Sequence, residues 1–290
     1  MTGRFCGTLI NMYSYTDYKI MRDILNNSMA CDSPPAFLLN SSGDGVALPV
    51  NQTPCFDLPV ADLLRAALIE CVPPALTAAV FSHHCFAQAC ASADEDLNAL
   101  LSKDPAQRGS TMAALMGSTS YKAILHYRLA HALMTMADVS AFPRHELEAY
   151  ASLVSARGKL LSGAEIHPGC QIGRRFVLDH GWGLVIGETC VIGDDCYLLG
   201  GVTLGAAGIA NNPSSRRHPT LGDRVQIGAF ARVFGNIQIG NDVFIGTHCC
   251  VTQNIESNSI VTLRSETQIV RGGTATARVT GSQESRSIHS

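Results

Sequence analysis

From Ile166 onward an aliphatic residue returns at every sixth position, through Ile172, Leu178 and Leu184, and the step resumes at Leu221, Ile227, Val233, Ile239, Ile245 and Val251. A period of six matches neither the 3.6 of a helix nor the alternation of a half-buried strand. It suits a chain wound around a prism that turns one apolar side chain inward on each flat face, which is a solenoid. Cys190, Cys196 and Val202 carry the series between the two blocks, since a free thiol behaves as a small hydrophobe. Glycine follows the inward residue at Gly173, Gly228, Gly240 and Gly246, where the missing Cβ relieves crowding at a corner. A β-sandwich of short strands seldom holds so strict a step over so many units.

Upstream the pattern is helical. Leu63, Leu64, Ala67 and Leu68 follow the i, i+3, i+4 rule, and Asp94 to Leu101 continues it. A helix should end near Lys103, because Asp104 precedes Pro105 and is pushed out of the α region. Met112 to Met116, Tyr121 to Met136 and His145 to Leu161 read as further helices, the last closed by Ser162-Gly163. Their Met, Leu and Ala stripes, with His83, His84, His126 and His131, read as packing surface. The expected organisation is a loosely ordered polar leader over 1–56, an α-helical domain over 57–163, the solenoid over 164–272 and a flexible tail over 273–290.

Of the 290 residues, 46% are hydrophobic and 16% charged, enough for sizeable cores. A net charge of −3 and no basic run interleaved with aromatics argue against a nucleic-acid partner. No signal peptide is legible at the N-terminus, and the most apolar stretch, from Val72 to Phe81, is interrupted by Pro73 and Pro74 and too short to span a bilayer. Eleven cysteines without a CxxC pair read as reduced thiols of a cytoplasmic protein.

Chemistry gathers in two places. His180 lies two positions past the inward Leu178, so its ring should face outward, with Asp179 beside it and Glu165 fifteen residues earlier, close to one coil below. A carboxylate bound to one imidazole nitrogen fixes the tautomer and leaves the other free to take a proton, as a general base does; an exposed histidine beside unrelated acids has the same spacing. The second place is the stretch from Gly208 to Pro219, which breaks the six-residue count and so must leave the prism as an excursion. It carries Arg216, Arg217 and His218, and long polar loops of this kind are often binding elements.

The run EIHPGCQIGRRFVLDHGWGLVIGE, followed by GGVTLGAAG, SSRRHP and IGAFARVFGNIQIG, closely resembles the serine O-acetyltransferases of the hexapeptide acyltransferase superfamily. The family pattern is DIHP, LDHATG, VIGE, VTLGG, GDRHP and IGAGAKILGN, and EDLNALLSKDPA is similar to its upstream helix-loop segment. The resemblance implies an α+β chain, with helices followed by a left-handed parallel β-helix, assembled as a homotrimer or as two trimers joined through the helical domains. It implies transfer of acetyl from acetyl-CoA, a co-substrate, to L-serine without a metal. His180 would be the base and Glu165 its orienting acid. Asp104 and Asp179 would hold the serine ammonium and Arg217 its carboxylate, with His218 nearby. Ala206, Ala229 and Thr247 would line the CoA groove.

The chain departs from the pattern in places. Glu165 replaces the usual Asp, Arg216 stands where an acid is common, and TLRSETQIV replaces the closing AGVPA element. The chain ends Ser-Ile-His-Ser, without the C-terminal isoleucine by which the family enters cysteine synthase, which argues against that complex. Three other readings stay open: an acyltransferase for homoserine or a sugar, a non-catalytic scaffold, and a zinc carbonic anhydrase drawing on His167, His180, His218 and His248.

Overall fold

The computed structural model describes residues 60–136 and 142–264; the expected leader and tail lie outside them. Among the described residues six helices come first: α1 (Val60–Cys71), α2 (Pro74–Ser82), α3 (His84–Lys103), α4 (Thr111–Gly117), α5 (Thr119–Thr135) and α6 (Arg144–Ser162). Local chemistry sets their ends. Pro74 opens α2 at a position that needs no N–H. α3 starts at His84, ten residues before the expected Asp94, because the His83 ring accepts the Cys85 amide as a cap. It stops at Lys103, and Asp104 then caps a short 3₁₀ turn, Pro105–Gln107. Ser110 and Ser118 cap α4 and α5 through their hydroxyls. Gly163, at φ 74°, closes α6 in the left-handed region.

Fourteen short parallel strands follow, from β1 (Glu165–Ile166) to β14 (Ile260–Val261), and stack into three flat sheets. β1, β4 (Val185–Ile186), β7 (Thr203–Gly205), β10 (Arg232–Phe234) and β13 (Cys250–Val251) make the first face. β2 (Gln171–Ile172), β5 (Val191–Ile192), β8 (Thr220–Leu221) and β11 (Gln238–Ile239) make the second. β3 (Val177–Asp179), β6 (Tyr197–Leu199), β9 (Gln226–Ile227), β12 (Phe244–Ile245) and β14 make the third. The expected prism is present, and every residue of the six-step series is buried.

The register differs from the sequence reading in one respect. Ile166 pairs with Ile186, not Leu184, and Ile186 with Leu204, so the turn after Asp179 holds two residues more than the regular corners and shifts the count. The slip is invisible in the hydrophobic series because each face buries two residues at i and i−2. Leu184, Cys190, Cys196 and Val202 belong to the second set, with Ala164, Cys170, Phe176, Val225, Ala231, Val243 and Cys249. A strand's period of two permits this substitution of one inward residue for another.

The edge between the second and third faces explains part of the repeating glycine. The Arg174 amide donates to Asp194 Oδ1, Asp194 to Asp223 Oδ1, Asp223 to Asn241 Oδ1 and Asn241 to Ser257 Oγ, so each coil is capped by a side chain of the next. A Cβ on Gly173, Gly193 or Gly222 would stand 2.5, 2.4 or 2.3 Å from that capping oxygen. Crowding at the corner therefore comes from the coil above rather than from the turn's own φ. The left-handed residues lie two positions later, at Arg175, Asp195, Arg224 and Asp242. Bidentate pairs Arg175–Asp195 and Arg224–Asp242 join them along the edge.

The helices dock on the first coil through one buried charge pair. Asp96 of α3 is fully buried and takes Arg128 Nε and Nη2 of α5 at 2.7 and 3.0 Å. Arg128 also donates to the carbonyls of Ile172 and Gly173 at 2.7 and 2.6 Å, and the Phe176 amide donates to Asp96 Oδ1 at 2.8 Å. Tyr127 Oη adds a donation to Cys170 O and accepts the Ile172 amide, and His131 Nδ1 lies 2.8 Å from Pro168 O. Deleting one partner would strand a buried charge, which typically costs about 3–5 kcal/mol. Asp96→Ala is therefore expected to lower unfolding free energy by about that much in a denaturant titration, whereas Asp62→Ala, which removes an exposed helix pair with Arg65, costs under about 1 kcal/mol.

Candidate active site

Three faces leave three edges, and the candidate residues sort among them. Corners that follow the third face and precede the first carry His180 and Trp182, then Ala229 and Phe230, then Thr247 and His248. Corners between the first and second faces carry His167, Glu188, Ala206, Arg217 and His218. Within one protomer the two sets are separated by the width of the first face, on the order of 15 Å of extended chain from Gly183 to Gly187.

His180 sits at the extra-long corner. Its φ is 60°, and the Gly181 amide returns to Asp179 O at 2.7 Å while Trp182 N returns to His180 O at 2.8 Å, two consecutive i to i+2 turns. Gly181 and Gly183, at φ 67° and 74°, make that path accessible, and a Cβ on Gly181 would crowd Leu178 and Ser120 at the start of α5. The tight turn throws the His180 ring outward, its side chain 83% exposed. It borders a cavity of about 710 Å³ with Trp182, Thr119, Ala156, Lys159 and Leu160. Left-handed φ recurs at other corners, so the turn alone does not mark a site; the ring at a cavity does.

The acid that spacing pairs with His180 is engaged elsewhere. Glu165 Oε2 takes Lys159 Nζ at 2.5 Å, and no hydrogen bond joins Glu165 to His180 among the described residues. The carboxylate beside the ring is Asp179, its Oδ1 3.8 Å from His180 Nε2, beyond hydrogen-bond range. Asp179 Oδ2 accepts from Tyr197 Oη at 3.0 Å. Asp104, buried at the end of α3, accepts from the Ala106 amide and Gln107 Nε2 at 2.8 and 2.7 Å. Burial and then the Asp179 charge push the Tyr197 hydroxyl well above its ordinary range, with Asp104 adding to the effect, so it stays a protonated donor.

The excursion is anchored by one hydroxyl. Thr189 Oγ1 accepts the amides of Arg217 and His218 at 3.0 and 3.1 Å. The Thr189 amide donates to His218 Nδ1 at 3.1 Å, which places the ring proton on Nε2. Burial lowers His218 and keeps it neutral, and Nε2 lies over Gly187, where a Cβ would stand 2.2 Å away. The Arg217 guanidinium bonds Glu188 and holds that carboxyl below its usual range. The expected carboxylate-binding arginine therefore already has an anionic partner, and Arg216 turns to Thr220 Oγ1.

Of the expected CoA contacts, Ala229 and Thr247 lie on the His180 edge two and three coils above it, and Ala206 lies on the Arg217 edge. Phe230 and His248, which follow Ala229 and Thr247 in the chain, stack on each other, ring centroids 5.4 Å apart and planes at 10°. Sequence reasoning missed Tyr197, Thr189, Lys159 and Trp182. Only Trp182 carried a signal, as a bulky residue inside LDHGWG. Buried cysteines are inert: burial raises Cys190 to about 12 and Cys196 to about 11, and the cysteines among the described residues are all free. No helix of the described residues is long and apolar enough to cross a membrane.

No family model matches the chain. It is 42% identical over 165 residues to a serine acetyltransferase of Helicobacter pylori, covering 56% of this chain and 88% of that protein. It is 39% identical over 166 residues to one of Synechococcus elongatus, covering 57% of this chain and 63% of that relative's length. Among solved structures it is similar to serine acetyltransferase isoform 3 of Entamoeba histolytica in complex with cysteine, with a TM-score of 0.59, 31% identity and coverage of 73% and 72% of the two chains. The serine acetyltransferase of Neisseria gonorrhoeae in complex with serine gives 0.56 at 29% identity, over 71% of this chain and 80% of that one. The solenoid matches the left-handed β-helix of these structures.

One consequence of the geometry is open to test without a substrate. A Cβ on Gly163 would stand 2.4 Å from Trp182 Cδ1 at a φ of +74°. Gly163→Ala should cost about 1–2 kcal/mol for the left-handed backbone and move the indole. Because Trp182 is the chain's single tryptophan, emission spectra with thermal melts report both effects.

Proposed function

The chain belongs to the serine acetyltransferase family, and from that premise we propose that it transfers acetyl from acetyl-CoA to the L-serine hydroxyl, giving O-acetyl-L-serine and CoA. The observation that carries this reading is the outward His180 ring at a cavity, next to Asp179. In the reaction, His180 takes the serine hydroxyl proton as the oxygen attacks the thioester carbonyl. The C–S bond then breaks, and the proton passes from His180 to the departing CoA thiolate. A positioned base contributes about a hundred- to ten-thousand-fold.

Glu165 is the orienting acid in this reading. It reaches His180 by exchanging its Lys159 partner, and both Lys159 and His180 border the cavity. Asp104 and Asp179 bind the ammonium. Arg217 exchanges Glu188 for the substrate carboxylate, which a guanidinium grips with two parallel bonds. Two acids beside the base suit an amino-acid acceptor better than a neutral sugar.

The two edges of one prism cannot meet in one site, so the complete site takes its His180 edge from one subunit and its Arg217 edge from the next. A closed ring of three subunits satisfies all of these contacts by one repeated interface. CoA then lies along the seam, with Ala229 and Thr247 from one wall and Ala206 from the other. Coils spaced about 4.8 Å apart put Thr247 roughly 14 Å from the His180 level, a span suited to a pantetheine arm. The free buried thiols accord with a reducing compartment, and we place the enzyme in the cytoplasm.

His180→Ala should lower kcat at least roughly a hundredfold without unfolding the protein; a thiol-release assay with serine, homoserine and sugars measures both this and the acceptor. Arg217→Ala should raise the serine KM far more than the acetyl-CoA KM. Refolding the two impaired variants together should restore part of the activity at low serine, where each alone is slow, since a mixed assembly contains seams with His180 from one chain and Arg217 from the other. Mixtures as inactive as their components would rule out the shared site.

A further inference from the structure

Tyr197 stands at the outward position that opens β6 on the third face. Its Cα registers with Val177, yet its hydroxyl reaches two residues further along β3 to Asp179 Oδ2 at 3.0 Å. The ring packs partly against the helical core, so it cannot swing freely away. At the same level Lys103, the last residue of α3, donates to Asp195 O and pairs with the Asp195 carboxylate. That cation is thereby turned away from the neighbouring Asp104, whose hydrogen bonds come from the neutral Ala106 amide and Gln107 side chain.

The environment of Tyr197 connects the two acids. Both the Asp179 and the Asp104 charges act on its hydroxyl. Among the described ion pairs neither acid has a lysine or arginine partner, and Asp179 has only the His180 ring at 3.8 Å. Two carboxylates near one hydroxyl repel each other unless a cation is shared between them. A neutral hydroxyl that donates to one oxygen fixes that carboxylate without neutralising it, and leaves its remaining lone pairs to bind an ammonium.

We propose that Tyr197 is a positioning residue of the acceptor site, its hydroxyl holding Asp179 so that Asp179 and Asp104 converge on the acceptor's ammonium group. This rests on the functional reading above for the site itself and adds the residue that shapes it. Tyr197 thereby selects acceptors that carry a primary ammonium next to the carbon bearing the hydroxymethyl group. It is outside the proton transfer, since its donor bond goes to Asp179 and not to His180.

Tyr197→Phe removes only the hydroxyl. A donor to a charged acceptor contributes enough that its loss should raise the serine KM roughly tenfold or more, with kcat and the acetyl-CoA KM changed less than about twofold. Calorimetric titration of the same proteins with L-serine and with 3-hydroxypropionate, which lacks the ammonium, isolates the site from turnover. The wild-type preference for serine should shrink in Tyr197→Phe, and adding Tyr197→Phe to Asp179→Asn should change it no further. An unchanged preference, an equal rise in both KM values, or a melt showing that Tyr197→Phe unfolds would overturn the proposal. A wild-type protein that binds serine through Tyr197 but releases no CoA would instead sink the acetyltransferase reading and leave this one standing.

Discussion

Everything that places the candidate residues begins with Arg128 and Asp96. A charged pair removed from water on this scale is retained only where its hydrogen-bonding capacity is filled, and here the solenoid fills it. The carbonyls of Ile172 and Gly173 take Arg128, and the amide of Phe176 binds Asp96. These groups come from the first coil, so α3 and α5 are locked to the prism at one height. With α3 fixed, Asp104 at its end is held beside Tyr197. With α5 fixed, its first turn abuts the Gly181 corner from which His180 projects. The charge pair contributes position at least as much as stability.

The prism then divides labour by edge. One edge is structural, tied by capping oxygens and alternating Arg–Asp pairs. The other two carry the residues of the proposed reaction, His180 with Asp179 on one and the anchored loop with Arg217 on the next. Within the protomer Lys159 holds Glu165 and Glu188 holds Arg217, so neither group is engaged with the other edge.

Much of the fold was legible because the inward series is a one-dimensional signal. What hid the two-residue slip after Asp179 was redundancy, as Leu184 and Ile186 are both inward and either continues the series. Helix ends were legible where Pro105 and Gly163 dictate them, whereas the start of α3 was missed because a histidine ring does the work usually done by a serine or aspartate. His180, Asp179 and Arg217 stood out through motif and charge. Tyr197, Thr189 and Lys159 did not, since each acts through a partner distant in sequence: Tyr197 on Asp179, Thr189 on the excursion and Lys159 on Glu165.

The side-chain caps from Arg174 to Ser257 have a direction: each of the four capped amides is satisfied by a side-chain oxygen of the coil that follows. Such a stack is vectorial. Its base is clamped beneath the helices, while each upper storey is the roof of the one below, so loss of the topmost storey bares only the amides that donate to it, those of Gly240, Asn241, Phe244 and Gly246 among them, and leaves the lower coils intact. Fraying should advance downward a storey at a time, and the base storey, which bears His180, should be the last to open.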